Sequence, residues 1–149
     1  MSVEYQTDVS TPEDVAEHLA ACDSSFSPRL STRVNIEAYA QKLVDRAKRF
    51  EAWSGGTVVG LVAAYCNDHV ARRAFITSVS VLPTWMGHGI GSELMKRCLA
   101  YVAAAGMREV CLEVARTDAR AVGLYARSGF VQEPSEAGPL VVMTLRLPT

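Results

Sequence analysis

Glycines alternate along Met86-Gly87-His88-Gly89-Ile90-Gly91, three within five residues, between a β-rich segment and a long amphipathic stretch. Upstream, Phe75-Ile76-Thr77-Ser78-Val79-Ser80-Val81 is a β-branched run closed by Pro83, the pattern of a strand ending in a turn. Downstream, Ile90, Leu94, Cys98 and Val102 recur at helical spacing, so a helix begins at or inside the glycines. Glycine admits positive φ and lets a ligand come close to the backbone. The N–H groups can then converge at the partly positive helix N-terminus, an arrangement suited to an anion such as a pyrophosphate. A purely steric turn does not need three glycines at such a junction. The expected chemistry is a phosphate cradle.

Two familiar phosphate loops fit this segment poorly. The dinucleotide fingerprint needs G-x-G-x-x-G directly off a strand, with an acidic residue about twenty positions on. Here Ser92 stands where its third glycine belongs, and Leu82 to Trp85 separate strand from loop. The nucleotide-triphosphate loop fails because no Gly-Lys-Ser/Thr follows.

The segment resembles the acyl-CoA loop of the GNAT superfamily of N-acetyltransferases, which runs Arg/Gln-x-x-Gly-x-Gly/Ala after an apolar strand and a proline. The match covers Ser78 to Pro83 and the whole glycine loop, with Met86 where the family usually carries Arg or Gln. A second segment points the same way. Leu112-Glu113-Val114, then Asp118 through Leu124-Tyr125-Ala126-Arg127-Ser128-Gly129-Phe130, is similar to the family's fifth strand, fourth helix and Leu-Tyr-x-x-x-Gly-Phe turn. Asp118 replaces the usual Asn; it caps a helix equally well but cannot donate an amide hydrogen bond. The resemblance runs from about residue 50 to 147, and the first fifty residues fit it in outline. It implies acetyl-CoA as cosubstrate with no metal. The cofactor contacts would come from Val79, Val81, Met86, Gly87, His88, Gly89, Ile90, Gly91, Ser92, Asp118 and Tyr125.

Moving an acetyl group from a thioester to an amine poses two proton problems. The amine must lose a proton, and the departing thiolate must gain one or be stabilised. A positioned acid or base supplies roughly 10²–10⁴-fold in rate. The resemblance places Tyr125 beside the thioester sulfur as the acid; the plainer alternative is an aromatic that packs with Leu124 and Phe130. Glu113 is the candidate base, since strand alternation turns it away from Leu112 and Val114. Family members that acetylate a ribosomal protein's alanine keep base and acid at the same separation as Glu113 and Tyr125. Otherwise Glu113 is a strand carboxylate tied to Arg108 or Arg116. Arg127 would reach the 3′-phosphate of CoA or lie on the surface.

These residues need rigid elements beneath them. Val3 to Val9 alternates enough for a first strand, and Ser10-Thr11-Pro12-Glu13 reads as a helix start with Ser10 as N-cap and Glu13 closing a capping box. Val15, Leu19 and Cys22 would face inward. A second helix is expected over Ile36 to Lys48, burying Tyr39, Leu43 and Ala47. Phe50 to Trp53 and Thr57 to Tyr65 flank Ser54-Gly55-Gly56, a hairpin turn. The second arm is apolar on both faces and should be a central, covered strand. A loop over Asn67 to Arg73 leads into the strand before the glycines. Further strands are expected over Glu109 to Val114 and Leu140 to Leu147. The order β-α-α-β-β-β-α-β-α-β-β implies an α/β fold: a GNAT-like mixed, largely antiparallel sheet flanked by helices, in one domain over residues 1–149.

Composition narrows the partners. The 149 residues are 49% hydrophobic and 21% charged, ordinary globular values, and one domain of this size can bury a full core. A net charge of −1 without a basic run argues against nucleic acid. The N-terminus lacks a signal-peptide pattern, and no apolar run approaches the ~20 residues that span a membrane. A cytoplasmic protein is expected, with edge strands able to pair into a homodimer. Cys22, Cys66, Cys98 and Cys111 show no metal or redox spacing, and Cys98 and Cys111 read as buried thiols. The resemblance implies an acceptor that is a small-molecule amine or a protein N-terminus. Its contacts are expected from Phe26-Ser27-Pro28-Arg29-Leu30-Ser31-Thr32-Arg33 with Tyr65, Asn67 and Asp68, where Arg29 and Arg33 would suit an acceptor carboxylate or phosphate. A non-catalytic acyl-CoA-binding module is the alternative to an enzyme.

Overall fold

A computed structural model describes residues 2–26, 28–134 and 138–148. Its core is a seven-stranded sheet in the order β1-β2-β3-β4-β5-β7-β6. The strands are β1 (Glu4–Thr7), β2 (Lys48–Ser54), β3 (Thr57–Asp68), β4 (Arg73–Val81), β5 (Glu109–Ala115), β6 (Val131–Gln132) and β7 (Leu140–Arg146). Four helices, α1 (Pro12–Ala21), α2 (Ile36–Arg46), α3 (Ile90–Ala104) and α4 (Ala119–Arg127), fall between them in the order read from the sequence. Among the described residues only β4 and β5 pair in parallel, so the sheet is mixed and largely antiparallel.

β3 is central, and its residues Val58 to Ala64 are buried on both faces, as its unbroken apolar run requires. One core lies against α3, where Ile90, Leu94, Cys98 and Val102 meet Val62, Ile76 and Leu112. The other lies against α1 and α2, where Val15, Leu19 and Leu43 meet Leu61 and Ala63. A Cβ on Gly60 would stand 2.7 Å from Ile90 Cγ2, so the glycine lets α3 settle directly on β3.

Several boundaries differ from the sequence reading. Thr11, not Ser10, caps α1: its side chain accepts from Asp14 N at 3.1 Å, and its own N–H donates to the Asp14 carboxylate at 3.0 Å. Ser10 is drawn inward instead, where its amide and hydroxyl donate to the fully buried Glu51 carboxylate beside Arg49. A buried charge must be paired and hydrogen-bonded, and that demand outweighs the cap. α2 ends at Arg46, because Lys48 and Arg49 pair with Ala64 and Ala63 at the start of β2. β1 stops at Thr7, where Asp8 turns to φ 56°. The β3–β4 hairpin runs on to Asp68 opposite Arg73, leaving a shorter loop than expected. Cys98 is buried, whereas Cys111 is only half-buried on the side of β5 opposite Leu112.

One irregularity shapes the centre of the sheet. Ala63 pairs with Ser78 but Ala64 with Ile76, so Thr77 is an extra residue, a bulge in β4. Before it, Ala74 and Ile76 face α3; after it, Val79 and Val81 take that side, while Ser80 reaches His18 on α1. The parallel ladder of β4 with β5 ends at Ile76 opposite Leu112, although both strands continue. Beyond that point the two strands are not bonded to each other, and a cleft opens between them.

Candidate active site

The cleft measures about 640 Å³. One side is made by the last residues of β4, the glycine loop and α4. Val79, Val81, Met86, Gly87, Gly89, Ile90, Gly91 and Ser92 line it, facing Asp118, Leu124 and Tyr125. Gly87 has φ 84° and Gly89 φ 77°, conformations that side chains with a Cβ rarely adopt. Gly89 is the N-cap of α3, and no side chain caps that helix among the described residues. Its first-turn N–H groups therefore lack helical acceptors and face the opening. Nothing lies within 4 Å of a Cβ built on Gly87 or Gly89, so a side chain there would fill open space in the cradle. The residues fit a phosphate-bearing cofactor.

His88 does not join the wall. It is exposed and its ring lies near Trp85, with centroids 6.0 Å apart. Gly87 and Gly89 on either side line the cleft, whereas His88 itself does not. The expectation of a His88 contact finds no support in this placement.

Asp118 caps α4, accepting from Ala121 N at 3.1 Å. Tyr125 follows two turns later as the single buried residue of that helix, 6% exposed, edge-on to Phe130 at 6.1 Å. Burial holds its phenol well above the usual tyrosine range, and the charge of Asp118 adds to the effect. Tyr125 is therefore a neutral O–H donor at physiological pH.

Glu113 enters from the other side. Leu112 and Val114 are buried against α3, so Glu113 faces away from them, exposed in the cleft. It makes no ion pair among the described residues; Arg116 is turned to the Gly138 carbonyl, which its Nε reaches at 2.9 Å. Around it stand Phe26, Leu30, Arg33, Val34 and Tyr39 from α2 and the segment before it. The Tyr39 hydroxyl donates to the Thr77 carbonyl at 3.0 Å and accepts from Thr77 Oγ1 at 2.7 Å, which satisfies the bulge. Ser78 Oγ is buried beside the cleft, with no partner within hydrogen-bond geometry among the described residues.

The expected acceptor contacts divide. Phe26, Leu30 and Arg33 line the cleft, and Ser27 lies outside the described residues. Tyr65, Asn67 and Asp68 do not, because the long β3–β4 hairpin carries them toward the end where β4 and β5 are still paired. Tyr65 pairs with Phe75 and takes the Lys42 ammonium over its ring at 5.5 Å. Arg29 is off the cleft beside Asp23, whose carboxyl is held below its usual range mainly by the Ser31 hydroxyl and amide. Sequence reasoning missed Arg120, Ser78 and Ser80 as cleft residues. Arg120 could have been found from its place two residues after the Asp118 cap; Ser78 and Ser80 depend on a bulge that a β-branched run does not announce.

Known proteins share this architecture. Residues 13–130 match the model of the acetyltransferase (GNAT) family. The chain is 33% identical over 84 residues to the N-alpha-acetyltransferase MAK3 of Arabidopsis thaliana, a stretch that is 56% of this chain and 44% of that one. In fold it is similar to the PaiA N-acetyltransferase of Thermoplasma acidophilum, solved with coenzyme A, at TM-score 0.77 and 17% identity over 99% of this chain and 100% of that one. The ribosomal-protein-S18-alanine N-acetyltransferase of Escherichia coli aligns with TM-score 0.73 and 18% identity over 99% and 96% of the two chains. No helix among the described residues is long and apolar enough to cross a membrane. With four-fifths of its length matched by the family model, and the sheet, the separated β4 and β5 and the glycine loop all in place, the chain belongs to the GNAT family of acetyltransferases.

Proposed function

We propose that this protein transfers an acetyl group from acetyl-CoA to a primary amine by direct attack in a ternary complex. One observation carries the reading: the gap between β4 and β5 joins the glycine loop and Tyr125 on one side to the exposed Glu113 on the other. Acetyl-CoA supplies the acetyl group as an activated thioester. The amides of the glycine loop and of the first turn of α3 bind its phosphates, and the backbone of Val79 and Val81 aligns its pantetheine arm. Glu113 takes the proton from the amine, directly or through water, and Tyr125 donates its phenolic proton to the departing sulfur. No cysteine among the described residues lines the cleft, so none is placed to serve as a covalent relay. Burial pushes Cys22 up to about 11 and Cys98 up to about 12, which keeps both as unreactive thiols.

The acceptor is a small amine or a protein N-terminus, and each has support. The partial match to an N-alpha-acetyltransferase favours an N-terminus, although the chain spans less than half of that relative. Arg33 favours a small amine bearing a carboxylate or phosphate, since it stands in the acceptor side of the cleft with no ion pair among the described residues. Arg29, which does not line the cleft, does not take part. Initial velocities with both substrates varied test the mechanism. Intersecting lines and no acetylated protein are expected; parallel lines with an acetyl-enzyme would overturn it. Within an acceptor panel, Arg33→Ala should raise KM about tenfold for an anionic amine and leave that of acetyl-CoA unchanged.

A further inference from the structure

The glycine loop carries a neutral thioether, Met86, where a cation or amide would help to hold a pyrophosphate. The fold brings a cation to that place from elsewhere. Arg120 Nη1 lies 3.1 Å from Met86 Sδ, and both side chains line the cleft. Building on the acetyl-CoA reading above, we propose that Arg120, in the first turn of α4, supplies the cationic contact to the pyrophosphate of acetyl-CoA.

Four observations support the assignment. First, a thioether is a weak neutral acceptor, so contact with Met86 leaves nearly all five guanidinium donors free. Second, Arg120 is exposed and has no carboxylate partner among the described residues. The nearest acid in sequence, Asp118, is occupied in capping Ala121. Third, the space above Gly87 and Gly89 is open, and the uncapped start of α3 faces it, so an anion seated there meets amides from one side and Arg120 from the other. Fourth, the planar guanidinium fork matches phosphate oxygens two at a time, which a lysine could not do. Sδ of Met86 then acts as a rest that holds the guanidinium in place before the ligand arrives.

Arg127 is a different case. Its guanidinium folds back to within 3.1 Å of a Cβ built on Gly123, about one helical turn further along α4 and away from the loop. The two guanidinium groups therefore stand at different places along the cleft wall, and the probes can be chosen to separate them.

The test is calorimetric titration of the full chain with coenzyme A and with 3′-dephospho-coenzyme A, which keeps the pyrophosphate but lacks the 3′-phosphate. Arg120→Ala should weaken both ligands by about tenfold, the value of one charge-assisted contact. Adding Met86→Arg to that variant should recover most of the loss, because it returns a cation to the same place from the loop. Equal affinity of wild type and Arg120→Ala would overturn the proposal. So would a loss confined to coenzyme A, which would assign Arg120 to the 3′-phosphate, or a loss that Met86→Arg does not recover, which is what a local fold defect gives. If the wild-type protein binds neither ligand, the acetyl-CoA reading fails and this inference falls with it; unchanged binding on Arg120→Ala removes this inference alone.

Discussion

Tyr39 on α2 closes the bulge at Thr77 on β4, its hydroxyl donating to the Thr77 carbonyl at 3.0 Å. The bulge takes that carbonyl out of the ladder, and a backbone oxygen withdrawn from water, even partly, needs a partner. Because the β4–β5 ladder ends at the neighbouring Ile76, the same bond fixes the place where the cleft begins. Tyr39→Phe should cost about 1 kcal/mol, the net worth of such a bond. It should also raise the acceptor KM more than that of acetyl-CoA. Denaturant midpoints and steady-state kinetics check the two effects, and unchanged stability would contradict the role given to this hydroxyl.

Gly89→Val puts a β-branched side chain at φ 77°, in the open space over the loop. The strain is roughly 1–2 kcal/mol. The larger effect should be on the cofactor, since the side chain fills the cradle and displaces its amides. Acetyl-CoA binding should fall below detection by calorimetry while the protein stays folded. Retained affinity would overturn the phosphate-loop assignment.

Tyr125→Phe removes a proton donor and little else. We expect kcat to fall roughly 10–10³-fold with acetyl-CoA affinity nearly unchanged. Burial raises the phenol above its ordinary value of 10.0, so the wild type should hold this proton, and its rate, further into alkaline pH than a free tyrosine would allow. A full kcat in the variant with an unshifted alkaline limb would rule out protonation by Tyr125.

His18 governs acid stability. It is 2% exposed; its Nδ1–H donates to Val58 O at 2.9 Å and its Nε2 accepts from Ser80 Oγ at 2.8 Å. Burial pushes its pKa from 6.5 down to about 4. Between those values the unfolded chain takes a proton that the folded one refuses. Stability should therefore be full above pH 6.5 and fall as pH drops toward 4. A shift of that size is worth on the order of 3 kcal/mol. Folding free energies measured from pH 4 to 7 should show a flatter slope in His18→Gln; an identical slope would contradict this account.

Much of this architecture was legible in the chain. Three alternating glycines between a β-branched run and a helical repeat located the loop, and the period of two around Glu113 gave its direction. Position-specific events were not legible. Nothing in Phe75 to Val81 announces that Thr77 is extruded, and that single residue exchanges the faces of Ser78 to Val81. Ser10 looked like a cap because local signals favour it, but the buried Glu51, far away in sequence, claims it. The length of the β3–β4 hairpin, which carries Asn67 and Asp68 away from the cleft, has no signal in the sequence. Local rules found the elements, and contacts across long sequence separations set their ends.

The most direct measurement is release of free coenzyme A thiol from acetyl-CoA across a panel of small amines and peptides with free N-termini, with mass-spectrometric identification of each product. The account predicts thiol released one for one with an N-acetylated acceptor, and a Glu113→Gln variant depressed most at low pH, where the amine must still lose its proton. Acetyl-CoA bound tightly, with no acetylated product from any amine, would contradict it and leave a non-catalytic acyl-CoA-binding module.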